Sequence, residues 1–150
     1  MNISLNWLTD YVDLPAGTSA QGLADALTRA GLNCEEIVET DTDIVLDVEV
    51  TSNRPDCNGH LGVAREAAAI LGVKFRPPEV GDLPAEGDVA ELASVEVAEP
   101  ELCPRYTARV IRGVKVGPSP RWMVERLEAA GLRSINNIVD VTTSVLMDYA

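Results

Sequence analysis

TSNRPDCNGHLGVAREAAA, residues 51–69, decides how the rest of this chain is read. The run before it, Ile44 to Val50, mixes Val45, Val48 and Val50 with Asp47 and Glu49 in imperfect period-two alternation, which predicts a strand. Pro55 fixes its own φ and biases Arg54 away from the α region, so the strand must end near Thr51. After the loop, Leu61, Ala64, Ala68 and Leu71 recur at helical spacing, Asp56 or Asn58 is the expected N-terminal cap, and Gly72 the expected stop. Asn53, Arg54, Pro55, Asp56 and Cys57 read first as a structural turn network with Arg54 forked onto a carboxylate. The competing reading is a contact surface for a protein or RNA. A metal site from Asp56, Cys57 and His60 has the right donor types but no pair of ligands at a zinc-like spacing.

Composition bounds these choices. Of 150 residues, 46% are apolar, which suffices for one ordinary domain or two small ones. Twelve basic and 24 acidic residues leave a formal charge of −12, which opposes a dominant face for DNA or RNA phosphates. Three cysteines, Cys34, Cys57 and Cys103, lie at wide, unpatterned spacing and predict neither a disulfide framework nor a metal knuckle. With no bilayer-length apolar run and no basic region before an apolar block at the start, a cytoplasmic protein without a membrane partner is expected.

Working outward, Ser4 is expected to cap a helix carrying Leu5, Leu8 and Val12, and Ser19 or Thr18 a second with Leu23, Ala26, Leu27 and Ala30. The second carries no basic face, so an α-hairpin is read in preference to a DNA-binding helix-turn-helix. Asn33–Glu39 and Ile44–Val50, joined by the polar link Thr40–Asp43, predict a β-hairpin. The fold class is α+β, with a small helix-rich, winged-helix-like unit over 1–75 and a Pro/Gly/acidic linker over 76–91. A second unit over 92–150 is expected to contain strands at Ala93–Ala98 and Tyr106–Val116, a helix started by Ser119-Pro120, and a last helix capped by Ser134. That last helix carries Ile135, Ile138, Val139, Thr142, Val145 and Leu146, an apolar face that one strand pair and two helices would leave uncovered. The chain therefore reads as part of something longer. His60 reads as a satisfied surface or capping histidine, and no Ser or Cys has a neighbouring base for nucleophilic chemistry.

The strings SLNWLTDYVDLP, TSNRPDCNGHLGVAREAAAIL and LCPRYTARVIRGVKVGPSPRWMVERLEAAGLRSINNIVDVT, in this order, resemble the N-terminal part of the β subunit of bacterial phenylalanyl-tRNA synthetases. The resemblance implies an α2β2 ligase that charges tRNA(Phe) using ATP and Mg2+, with the β subunit partnered by the α subunit and bearing an editing site for mischarged tyrosyl-tRNA. It makes 1–75 the N-terminal domain and 92–150 the incomplete start of the editing domain, whose pocket would include Thr142 and Thr143. Thr143 stands where the family usually has Asn, and the His and Glu that complete that pocket in the family lie downstream of Ala150. Many members carry an inserted oligonucleotide-binding fold where this chain has only Thr40–Asp43. No catalytic residue, metal or cofactor is expected within these 150 residues, which alone are expected to be inactive. The alternative is a non-enzymatic protein- or RNA-binding module derived from this family.

Overall fold

The alternation around Thr40–Asp43 forms the expected hairpin, and a third strand that the sequence reading did not include completes its sheet. In the computed structural model, which describes residues 1–149, the order is β1 (Asn2–Ser4), α1 (Leu5–Leu8), α2 (Ala20–Arg29), β2 (Cys34–Glu39), β3 (Ile44–Val48), α3 (His60–Leu71), α4 (Arg121–Ala129) and α5 (Asn137–Tyr149). This is a mixed α+β fold with one three-stranded antiparallel sheet, order β1-β3-β2. Ile3 faces Leu46 across β1 and β3, Ile37 faces Leu46 across β2 and β3, and the N-terminal ammonium lies 2.9 Å from Asp47 Oδ1. Thr40 closes the turn by accepting the Asp43 N–H on its hydroxyl, at 2.9 Å, and donating that hydroxyl to the Asp43 carbonyl at 2.9 Å.

Ser4 both ends β1 and caps α1, accepting the Trp7 N–H at 3.0 Å. That helix is one turn long, shorter than the apolar spacing to Val12 predicts, because Val12 leaves it to form a β-bridge with Phe75. Ser19 caps α2 as expected, accepting the Gly22 N–H at 3.0 Å. The core then assembles from Ile3, Trp7, Leu8, Leu23, Leu27, Leu46, Val48, Val63, Ala64 and Ala67, all buried. Fully burying side chains of the Leu or Val class stabilises by roughly 1.5–3 kcal/mol each.

Helix α3 differs from expectation at its start. Gly59 occupies the cap position with no side-chain bond, because the Asp56 carboxylate is taken by Arg54 and Arg65. Gly62 explains how the turn at Pro55–Cys57 lies so close: a Cβ there would fall 1.7 Å from the Asp56 carbonyl oxygen and 2.9 Å from Cys57 Cα. At the other end Gly72 ends the helix with φ +66°, a conformation that side chains with a Cβ rarely adopt.

His60 is not a surface residue; it is wholly buried and stacks on Trp7, ring centroids 4.2 Å apart. Its Nε2 accepts the Ser4 N–H at 3.1 Å, which places the proton on Nδ1, and Nδ1 donates to the Met147 carbonyl at 3.0 Å. One ring thus joins β1, α3 and α5. Burial holds its pKa down to about 4.

The polypeptide leaves the larger compact unit after Pro78 and returns at Val116, so α4 and α5 belong to the same unit as the N-terminal residues. The Arg126 guanidinium of α4 lies over the rings of Trp7 and Trp122, at 5.6 and 5.5 Å, and pairs with Asp10 at 2.7 Å. Glu79–Lys115 is a separate unit containing a short 3-10 turn, Val89–Glu91, capped by Asp88. The strands expected at Ala93–Ala98 and Tyr106–Val116 do not form among its described residues, where Val95, Tyr106 and Ile111 are exposed. Their β-favouring composition lacks a pairing partner, and composition alone does not make a strand.

Two outcomes follow for stability. Gly62→Ala gains about 1 kcal/mol of helix propensity but forces Cβ into the Asp56 carbonyl, so urea denaturation should show a net loss of roughly 3 kcal/mol; an unchanged midpoint would mean the corner opens freely. For His60, the folded pKa of about 4 lies below the ordinary value of 6.5, so the unfolded chain binds the extra proton first as pH falls. Stability present above pH 6.5 is therefore lost as pH drops through about 4, a change on the order of 3 kcal/mol. Asp148, its carboxyl pushed up by burial, acts in the opposite sense. Because the sequence has one histidine, its imidazole NMR signal isolates the effect: the midpoint should lie near 4, and a midpoint near 6.5 would contradict the burial.

Candidate functional site

Two groups of residues were singled out by sequence, and the structure places them in separate networks. At the corner before α3, Pro55 opens the 3-10 turn Pro55–Cys57 and Arg54 precedes it at φ −122°. Arg54 forks onto Asp56, Nε to Oδ1 at 3.0 Å and Nη2 to Oδ2 at 3.1 Å, and its Nη2 also reaches Glu66 Oε1 at 2.9 Å and Cys57 Sγ at 3.1 Å. Arg65 adds a second cation to Asp56 at 2.5 Å. The Arg54 hydrogen bonds hold the Asp56 carboxyl down to about 2, and Asp56 in turn holds Arg54 charged. Burial pushes the Cys57 thiol up to about 11, the reverse of a reactive cysteine. Asn53 is exposed in the turn. This corner is a charge-assisted clasp between loop and helix, with its polar atoms spent on one another.

Thr142 and Thr143 lie on α5, and the elements that position them are the links at its start. Asn136, not Ser134, caps the helix: its Oδ1 accepts the N–H groups of Ile138 and Val139 at 3.0 and 3.1 Å. Ser134 and Ser119 instead donate their hydroxyls to Asp140 Oδ2, at 2.6 and 2.5 Å, while Asp140 Oδ1 accepts the Ile135 N–H at 2.9 Å. These bonds hold the buried Asp140 carboxyl below the usual carboxylate range. Asn137 completes the frame by exchanging bonds with Gly117, its N–H donating at 2.9 Å and its Oδ1 accepting at 3.0 Å. At the far end Tyr11 donates its hydroxyl to Asp148 at 2.5 Å.

Thr142 is exposed and Thr143 half-buried. Both donate their single hydroxyl proton to the same acceptor, the Val139 carbonyl, at 2.7 and 3.0 Å. What remains for a bound group is lone pairs, so the two hydroxyls present acceptors rather than donors. Around Thr142, the side chains of Ile138, Val141, Val145 and Leu146 form an exposed apolar stripe. Such a surface can accept a hydrogen bond from a hydroxyl within an apolar setting, but it contains no acid or base.

Asp140, the Arg126–Asp10 pair and the His60 bridge escaped sequence reasoning. Arg126 does carry one local signal, for its contact with Trp122 rather than Asp10: the two stand four apart on α4, the spacing that brings side chains together on a helix. The Arg126–Asp10 pair and the His60 bonds join positions far apart in the chain, whereas Asp140 gathers Ser134 and Ile135 from just before it and Ser119 from farther away.

The family profile of the B3/4 domain matches residues 102–150. The chain is 49% identical over 148 residues, 99% of its length, to the phenylalanine–tRNA ligase beta subunit of Rhodopirellula baltica. It is 48% identical over 121 residues to that of Anaeromyxobacter dehalogenans and 54% identical over 106 residues to that of Syntrophus aciditrophicus, covering 81% and 71% of this chain. It spans 21%, 15% and 13% of the lengths of these three relatives. From the opening strand through α5, the chain belongs to the phenylalanine–tRNA ligase beta-subunit family and matches its N-terminal part.

Proposed function

We propose that these residues serve within an α2β2 ligase that charges tRNA(Phe) using ATP and Mg2+, and that Thr142 and Thr143 line part of a pocket that hydrolyses mischarged tyrosyl-tRNA. The identity across 148 residues to a relative named as a beta subunit carries the first half. The second half rests on the match of residues 102–150 to the B3/4 domain, together with the exposure of Thr142 on α5. In this reading residues 1–75 are the winged-helix-like N-terminal domain and 92–150 the start of the editing domain, whose helices α4 and α5 fall in the same compact unit as residues 1–78. The Thr142 and Thr143 lone pairs accept a hydrogen bond from the substrate phenol or a ribose hydroxyl and orient the ester for attack by water. A phenylalanyl ester, lacking the phenol, forfeits that bond, and a site built to bond a hydroxyl discriminates strongly against an analogue without it.

The chain contributes position rather than proton transfer, and its charge of −12 leaves the main tRNA phosphate contacts to other parts of the assembly. In the assembled α2β2 enzyme, Thr142→Trp should lower the rate of tyrosyl-tRNA deacylation by about a hundredfold, the scale of a misplaced reacting group, while phenylalanine charging continues. Deacylation at an undiminished rate would remove Thr142 from the pocket. Loss of charging as well would mean that the substitution had disturbed assembly, which gel filtration of the complex with its α subunit distinguishes.

A further inference from the structure

Strand β2 lies at the end of the sheet, with no strand beyond it among the described residues. Its pairing with β3 is irregular between Cys34 and Glu36, so that Glu35 has no β3 partner, the pattern of a β-bulge. Beside this edge runs α2, and between them lies an open cleft of about 370 Å3 bounded by Asp25 and Thr28 on α2 and by Glu35, Glu36 and Ile37 on β2. The Cys34 N–H is already bonded to Thr28 Oγ1 at 3.0 Å, which closes one end of the cleft and leaves the edge open from Glu35 onward.

Three features converge here. An edge strand offers unpaired backbone groups to a further strand. The cleft gives room for that strand's side chains, with half-buried Ile37 as an apolar contact. Asp25, Glu35 and Glu36 make the lining negative, and Glu39 extends that charge along β2. The same carboxylates oppose pairing with a second copy of this chain, since like charges would face each other across the new strand pair. They select a partner of opposite sign. We infer that the β2 edge and the α2–β2 cleft are a docking site for an extended, basic peptide segment, which adds as a fourth strand while its Lys or Arg side chains meet Asp25, Glu35 and Glu36. This inference stands apart from the editing reading and does not depend on it.

The test uses the 150-residue chain and a fluorescent peptide of about eight residues alternating Lys and Val, the length of an ordinary strand. Fluorescence anisotropy should show saturable binding, and amide chemical-shift changes should concentrate at residues 21–28 and 34–39. Methylating alternate backbone nitrogens of the probe removes N–H donors while keeping every charge, and should weaken binding at least about tenfold if main-chain pairing holds the peptide. The double change Glu35→Lys and Glu36→Lys should abolish binding of the Lys-Val probe and permit that of a Glu-Val probe. Equal binding of the methylated probe would show charge attraction alone and overturn the proposal. So would shift changes located elsewhere, or no binding at low salt, where screening is least.

Discussion

The buried imidazole of His60 is the contact on which the arrangement of this chain depends. It reaches Ser4, 56 residues earlier, and Met147, 87 residues later, and it stacks on the Trp7 ring that also receives the Arg126 guanidinium. A neutral ring with both nitrogens bonded can be buried at modest cost. Removing it would leave a Ser4 N–H and a Met147 carbonyl without partners, each costing about 1–3 kcal/mol. The position of α5 relative to α1 and α3 is therefore set by directional bonds as well as by apolar contact. Tyr11 and Asp148 add a second such bond near the same end of the helix. That matters for Thr142, because a helix held by specific bonds on one side can present a defined surface on the other.

Carboxylates are the commonest charged groups here, and the fold divides their labour. Asp43 accepts the Ser4 hydroxyl at 2.5 Å and the Asn6 and Ile44 N–H groups at 3.1 and 2.8 Å, so the hairpin turn is bonded to the start of α1. Thr42 adds its carbonyl to Asn6 Nδ2 at 2.7 Å. Thus the four-residue link Thr40–Asp43 has a structural task of its own, beyond joining two strands. Asp56 and Asp140 organise the corner before α3 and the start of α5, and Asp10 receives Arg126. Glu35 and Glu36 have no such internal task among these networks, and they lie on a sheet edge with an open cleft beside it.

What could be read from the sequence was what local pattern decides. The β2–β3 hairpin, α2 with its Ser19 cap, α3 with Gly72 behind it and the Arg54–Asp56 fork all follow from spacing and side-chain type within a few residues. Strand β1 was not legible because three residues carry too little period, and because Ser4 serves strand and helix at once. His60 was misjudged for a similar reason: its partners are distant in sequence, and burial is a property of the assembled core. Ser119 and Ser134 each look like helix caps locally, yet Asp140 draws both hydroxyls to itself. A buried carboxylate that can collect several donors outcompetes a single capping bond, and no short-range rule foresees where it will lie.

Thr143 is where the difference between hydroxyl and amide has chemical consequences. An Asn side chain brings donors and an acceptor, so it can give a hydrogen bond to an ester carbonyl and also receive one. A threonine hydroxyl on a helix has one proton, and here that proton is spent on Val139 at 3.0 Å, as is that of Thr142 at 2.7 Å. The pair is therefore tuned to receive. A bound phenol would have to donate, which suits tyrosine's hydroxyl in its neutral form, whereas stabilising negative charge on an ester oxygen would require donors from other groups. In the pocket proposed above, the two threonines would recognise a hydroxyl, and donors that stabilise developing charge would have to come from residues other than Thr142 and Thr143.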